Sequence, residues 1–212
     1  MLGIEATLRA SGVDLIAGVD EAGRGPCAGP LVVAAVILRE ADSLALKPVK
    51  DSKALREHIR EELFEVIIRE ALCYSIIEIS SAEIDRIGLH KSNLAGMRRA
   101  INALSLTPDY VLTDGYPIEG LAMPNLGVWK GDQVAVSISA ASILAKVHRD
   151  RTMREMDSEY PGYGFAQHKG YVTVAHTSAL HALGATEIHR TSFANIAALA
   201  QLTSKSFQQP RT

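Results

Sequence analysis

The chain has 212 residues, 47% of them hydrophobic and 22% charged, with a formal net charge of −2. A globular chain of this size can bury a self-supporting core, and the composition excludes wholesale disorder. No apolar run approaches the roughly 20 residues of a membrane-spanning helix, and bulk charge does not advertise a nucleic-acid partner, which would have to be met by local basic patches.

The first strong pattern is LIAGVDEAGRGPCAGPLVVAAVIL. Residues 15–19 read as a short buried strand. A Gly/Pro-rich turn follows, then an apolar, β-branched run at 31–38, so two antiparallel strands joined by a long glycine-rich connection are expected. After a loop, Leu55, Ile59, Leu63, Val66 and Ile67 keep helical spacing, with Asp51 or Ser52 as N-cap. CYSIIEIS (73–80) reads as a third strand. The next stretch is helical in two pieces broken at Gly88, with Leu94, Met97, Ile101 and Leu104 on one face of the second. DYVLTDG (109–115) and LGVWKGD (126–132) read as strands four and five. A long helix is expected from about Ser139 to Glu159, with Ile143, Leu144 and Val147 inward. PGYGFAQHKGY reads as a loop, followed by helices near 172–183 and 192–202 and a frayed tail over 203–212. The order predicts an α/β fold, a mixed five-stranded sheet flanked by helices. No linker divides the chain, so one domain is expected, with a core over about 16–160 and a C-terminal helical extension over 161–202.

Asp20, Glu21, Asp114 and Asp132 all fall at strand ends or just beyond them, each near a glycine. Adjacent strand residues point to opposite faces. For Asp20 and Glu21 to face one site, the strand should break there, and the following glycines would supply the break. An Asp before Gly is also an ordinary turn residue. Were the strands neighbours, the acids could converge at one sheet edge. Such a cluster repels itself unless a cation is present. All-oxygen donors suit Mg²⁺ or Mn²⁺ rather than zinc, in an arrangement fit for two-metal phosphodiester cleavage.

The words are more specific than the spacing. GVDEAGRGPCAGPLVVAAV, KDSKAL, VLTDG, SISAASILAKVHRDR, YGFAQHKGYVTVAHTSAL and HRTSF, in this order over residues 16–195, resemble the ribonuclease HII family. The resemblance implies a ribonuclease H-like fold with a C-terminal helical extension. It also implies a cytoplasmic endonuclease, using Mn²⁺ or Mg²⁺, that cuts the RNA strand of RNA–DNA hybrids and cuts at single ribonucleotides in duplex DNA. Asp20, Glu21, Asp114 and Asp132 match the family's four catalytic, metal-binding acids, Asp132 with the least distinctive flanks. Gly23, Arg24 and Gly25 match the element that contacts the 2′-hydroxyl, and Tyr171 matches the tyrosine that packs on the sugar at the RNA–DNA junction. These roles make physical sense. The 2′-hydroxyl is what distinguishes RNA from DNA, and glycines let backbone groups approach it closely.

Lys50, Lys53, Lys146 and Lys169 are the candidate phosphate contacts. Along the long helix, residues 146, 149 and 153 share a face while Arg151 does not, so the basic residues form no clean stripe. Ser139 and Ser142 are expected to cap that helix. His168, His176, His181 and His189 lack metal-ligand spacing, and no histidine adjoins Cys27 in sequence. Cys27 and Cys73 make no disulfide framework or CxxC motif, and MLGIEATLRASGVD lacks the basic flank and apolar core of a signal peptide, which fits a reduced cytoplasmic setting. A monomer without membrane association is expected. Alternatives are another ribonuclease H-fold nuclease or a non-catalytic nucleic-acid binding module of the same fold. The related ribonuclease HIII carries an added substrate-binding domain, for which little chain precedes Asp20. The retained acids argue against a non-catalytic module, because they repel phosphate unless metals intervene.

Overall fold

The computed structural model describes residues 3–39, 45, 46, 49 and 55–199. The chain divides into two compact units. One comprises Met1–Ala22, Val32–Glu78 and Asn93–Arg149; the other comprises Gly23–Leu31, Ile79–Ser92 and Asp150–Thr212.

The first unit carries a five-stranded mixed sheet built from β1 (Ile16–Ala22), β2 (Leu31–Leu38), β3 (Ala71–Ile79), β4 (Tyr110–Asp114) and β5 (Asn125–Val128), in the order β3-β2-β1-β4-β5. β1 pairs antiparallel with β2 and parallel with β4, and β4 pairs parallel with β5. Every residue of β2 is buried, as a strand covered on both faces must be, and this is why its sequence is a continuous apolar run rather than an alternation.

In chain order the helices up to residue 159 are α1 (Ile4–Ala10), α2 (Glu57–Glu70), α3 (Ser81–Ile87), α4 (Leu89–Asn102), the short α5 (Gly131–Val134) and the long α6 (Val136–Glu159). α3 and α4 are separated at Gly88, as the sequence predicts. Met97 and Ile101 of α4 are buried, whereas Leu94 is half-buried and Leu104 lies beyond the helix end. α2 begins at Glu57 and its N-cap position is Arg56, not Asp51 or Ser52, which lie outside the described residues. Neither α1 nor α5 is anticipated by hydrophobic spacing, since both are short.

α6 starts at Val136, earlier than expected, so Ser139 and Ser142 sit inside it and cap nothing. Ser139 instead donates to the Val49 carbonyl. The cap comes from elsewhere in the chain. The Glu5 carboxylate accepts the Val136 and Ser137 N–H groups at 2.9 Å each, satisfying two of the donors a helix start leaves open. Ile143, Leu144 and Val147 point inward, packed with Val32, Ala34, Val36 and Leu38 and with Leu63, Phe64 and Ile67 of α2. α6 lies so close to β1 that a Cβ on Gly18 would stand 2.1 Å from the Ser137 carbonyl carbon. Only glycine permits that approach.

The second unit holds α7 (Phe165–His168), inside the stretch expected to be loop, α8 (Val174–Leu183), and α9 over 194–199. Its core gathers Cys27, Ala28, Met153, Tyr163, Phe165, Leu180, Ile188 and Ile196. The expected tail over 203–212 lies outside the described residues. Among the described residues, no helix is long and apolar enough to cross a membrane.

Candidate active site

β1 does not break at its acids. It stays paired with β2 through Asp20↔Ala34, Glu21↔Val33 and Ala22↔Val32, and the glycine turn begins only at Gly23. What ends early is the pairing with β4, whose last rung is Val19↔Thr113. One step further along these parallel strands, Asp20 and Asp114 come level. Residues level on parallel strands point to the same face, about 4.8 Å apart. Convergence of Asp20 and Asp114 therefore follows from the register of neighbouring strands, while the break expected to turn Asp20 and Glu21 toward one site is absent.

Asp20 is 3% exposed. Its Oδ1 accepts the Glu21 N–H at 2.7 Å, and the Ser142 hydroxyl of α6 donates to the same carboxylate. Burial pushes the Asp20 carboxyl well above the ordinary range, and the charges of Glu21 and Asp114 push it further, against the two hydrogen bonds. Asp114 ends β4, and its Oδ1 accepts the Gly131 N–H at 2.7 Å. That bond ties the strand end to the residue before Asp132, which is itself 3% exposed in the first turn of α5. Lys130, which precedes this turn, adopts a left-handed conformation with φ of 52°, uncommon for a non-glycine residue. Among the described residues, no three His, Cys, Asp or Glu side chains already stand in metal-gripping geometry.

Lys146 is half-buried on α6, one turn beyond Ser142 and on the same helix face. Arg149, which shares the spacing of Lys146 in sequence, is 1% exposed and lies inside the protein. His148 meets Glu78 at 2.8 Å. Lys50 and Lys53 lie outside the described residues.

In the second unit, the Gly23–Arg24–Gly25 turn lies beside Tyr171. A Cβ on Gly25 would come 3.3 Å from the Tyr171 ring, and Tyr171 is 46% exposed. The turn is held from behind by Arg190, a fully buried side chain. Its guanidinium donates to the carbonyls of Gly23 at 2.7 Å, Arg24 at 3.3 Å and Gly29 at 2.9 Å. With their carbonyl oxygens engaged by one rigid fork, Gly23 and Arg24 lose freedom to reorient. The segment after Arg190 is clamped in turn by Asp85, whose two carboxylate oxygens accept the N–H and hydroxyl groups of Thr191 and Ser192. Those four bonds hold the Asp85 carboxyl below its ordinary value against the opposing effect of burial.

The Tyr171 loop is equally constrained. Gly170 has φ of 79°, and a Cβ there would meet the Ala28 oxygen at 2.3 Å. Its carbonyl accepts the Cys27 N–H at 3.0 Å. Lys169 has φ of 51°, and its Nζ donates to the Ala166 carbonyl at 2.6 Å. Three histidines treated separately in the sequence come together here. His168 stacks on His176, and His176 lies against His189. Cys27, with no histidine beside it in sequence, has its Sγ 3.8 Å from His176 Nδ1. Arg190, Asp85 and this histidine group escaped sequence reasoning. The words HRTSF and AQHKGY contained most of them, but neither spacing nor periodicity pairs residues so far apart.

A mixed sheet with carboxylates at the ends of neighbouring parallel strands, covered by a serine-bearing helix, defines the site of a metal-dependent nuclease with a ribonuclease H-like fold. The comparisons with known proteins agree. The profile of the family described as Ribonuclease HII matches residues 17–196. A ribonuclease HII of Mycobacterium avium is 55% identical over 197 residues, 93% of this chain and 86% of that protein. Among solved structures, the ribonuclease H2 of Pyrococcus horikoshii is similar with a TM-score of 0.78 and 28% identity, covering 90% of this chain and 99% of that one. A Bst-RNase HIII structure in complex with Mn²⁺ shares the fold with a TM-score of 0.69 at 19% identity, over 95% of this chain and 74% of that one. The chain belongs to the ribonuclease HII family, and it is a metal-dependent endoribonuclease.

Proposed function

We propose that this enzyme hydrolyses the RNA strand of RNA–DNA hybrids and also cuts on the 5′ side of a lone ribonucleotide in duplex DNA. The observation that carries the reading is the contact between the Gly23–Gly25 turn and the Tyr171 ring, within a frame that Arg190 makes rigid. The turn engages the 2′-hydroxyl of one nucleotide without regard to its base. The ring packs on the next sugar, where an added hydroxyl would be in the way, so deoxyribose is favoured there. In sequence, Ala22 alone separates Glu21 from Gly23, so the residue that reads the sugar follows directly on the acids that serve the chemistry.

Asp20, Glu21, Asp114 and Asp132 would hold two divalent ions, Mg²⁺ or Mn²⁺, which supply an activated water and charge stabilisation at the leaving oxygen. The donor set fits: it is all carboxylate, with two of its members buried. The like charges of Glu21 and Asp114 that act on buried Asp20 are what a cation beside them would offset. Ser142 orients the Asp20 carboxylate. Lys146 and Lys169, with Lys50 and Lys53, neutralise substrate phosphates and carry no sequence information. The enzyme works as a single catalytic domain, a monomer in the cytoplasm.

The test is cleavage of a DNA duplex containing one ribonucleotide, with end-group analysis. One cut on its 5′ side should leave a 3′-hydroxyl and a 5′-phosphate. A cyclic phosphate would mean that the 2′-hydroxyl attacks instead of water. Tyr171→Ala should lose activity on this substrate and Tyr171→Phe should lose less, because ring packing is the contact; full activity of Tyr171→Ala would remove the junction-reading role.

A further inference from the structure

Beneath Tyr171 runs a closed line of hydrogen bonds through two buried histidines. The Thr186 N–H donates to His189 Nδ1 at 2.9 Å, and the Thr186 hydroxyl, whose hydrogen can turn toward or away from that nitrogen, stands at the same distance. His189 Nε2 stands 3.1 Å from His176 Nε2. His176 Nδ1 stands 2.9 Å from the Tyr171 carbonyl oxygen. His176 is 0% exposed and His189 1%, so water does not stand in for a missing partner.

The ends of this line have fixed roles. A backbone N–H only donates, and a carbonyl only accepts. His189 Nδ1 must therefore be bare, and a neutral ring then carries its hydrogen on Nε2. His176 Nδ1 must carry a hydrogen, which leaves its Nε2 bare. The two Nε2 atoms are then matched as donor and acceptor. No other neutral assignment satisfies both ends. His168 obeys the same logic. Its Nδ1 accepts the Gly170 N–H at 3.2 Å, so its Nε2 donates to the Tyr163 carbonyl at 2.8 Å.

We propose that His176 is the positioning residue of Tyr171, held as its Nδ1–H tautomer by His189 in the Nε2–H form. Through this line the main chain of residue 171 is pinned, and with it the direction of the ring that meets Gly25. The inference rests on the reading of Tyr171 as the sugar-packing residue, and it deepens that reading.

The surroundings keep the pair neutral. The groups facing it are His168, stacked on His176 at 4.4 Å between ring centroids; Phe165, edge-on to His176; Tyr163, tilted against His189; and the Cys27 thiol. None of these brings a carboxylate to the pair. An extra proton would set N–H against N–H across the 3.1 Å contact. Burial is the largest cause lowering the proton affinity of both rings, and His189 is pushed down to about 4.

The decisive measurement is long-range ¹H–¹⁵N correlation of the histidine rings in the full chain near neutral pH, assigned with single histidine variants. His176 should show the Nδ1–H pattern, and His168 and His189 the Nε2–H pattern. An Nε2–H His176, or a doubly protonated ring at either 176 or 189, would overturn the proposal. Kinetics supply the second arm. His176→Phe keeps a ring without a donor. It should raise KM for the lone-ribonucleotide duplex about tenfold while leaving kcat nearly unchanged, and His176→Asn, which retains an N–H donor, should recover most of the loss. A folded His176→Phe with wild-type KM would refute the positioning role. If that variant does not fold, the ring tautomers of the native protein still decide. The expected tautomers together with a fully active Tyr171→Ala would leave the hydrogen-bond line standing and remove the sugar-packing reading, so the two failures are distinct.

Discussion

α6 depends on Glu5, a residue far from it in sequence. Ala135, the residue before the helix, has no side chain able to cap, and the Glu5 carboxylate replaces that cap from 131 positions away. Glu5→Ala would leave the Val136 and Ser137 N–H groups without their acceptor at a site only 8% exposed. Each orphaned donor costs about 1–3 kcal/mol. The favourable placement of a negative charge at the positive end of a 24-residue helix is lost as well. A loss of about 3 kcal/mol is expected for Glu5→Ala and about half of that for Glu5→Gln, which keeps one acceptor oxygen. Against a typical stability of about 5–15 kcal/mol, both variants should fold. Urea unfolding followed by far-ultraviolet circular dichroism measures the loss, with the exposed Glu155→Ala as a control expected to move stability by less than about 0.5 kcal/mol. If Glu5→Ala were no more costly than the control, the carboxylate would not be capping α6, and the argument from buried, paired donors would be wrong for this helix.

Arg190→Lys keeps the charge but loses the planar fork that engages Gly23, Arg24 and Gly29. It should lower kcat/KM on the lone-ribonucleotide duplex by about tenfold or more, chiefly through KM, and an unchanged KM in folded protein would show that the turn is rigid without it. Lys146→Ala and Lys169→Ala should each weaken hybrid binding irrespective of sequence and reduce the log–log salt slope by about one counterion; unchanged slopes in both would make these lysines ordinary surface charges. Acid should weaken the fold through His189. The unfolded ring takes up its proton near the ordinary histidine value, while the folded ring resists it down to about 4. Stability is therefore full above roughly pH 6.5 and falls as pH drops toward 4, a dependence that His189→Gln should flatten in urea titrations run across that range.

Local signals were strong where one residue's surroundings are set by its neighbours in sequence. The strand at Leu31–Leu38 announced itself through β-branched, wholly apolar composition, and the break between α3 and α4 lay at a glycine. The four acids were visible because strand ends and glycines mark them. The convergence of acids from neighbouring strands holds for Asp20 and Asp114 through the parallel pairing of β1 and β4, whereas the strand break expected between Asp20 and Glu21 is absent. Nothing in the periodicity puts the start of α6 at Val136, before Ser139 and Ser142, and the cap that Glu5 supplies is a long-range contact that no local pattern encodes. His176 and His189 lie 13 positions apart with no pattern between them. Only folding makes them neighbours, and only the fixed roles of the backbone groups at either end reveal their protonation.

If the carboxylates of the sheet serve the chemistry through bound cations, removing one of them should impair cleavage and metal binding together. The most direct test is single-turnover cleavage of an RNA–DNA hybrid by Asp20→Asn and Asp114→Asn, with thermal unfolding of each protein with and without Mn²⁺. Cleavage should fall by about 10²-fold or more, because metal-borne stabilisation amounts to several kcal/mol and each 1.36 kcal/mol is tenfold. Without metal, Asp20→Asn should be at least as stable as the wild type, since it removes a buried charge that Glu21 and Asp114 repel, and both variants should lose the stabilisation that Mn²⁺ gives the wild type. Near-normal cleavage by both folded variants, with Mn²⁺ stabilisation intact, would mean that these carboxylates neither bind the ions nor serve the reaction.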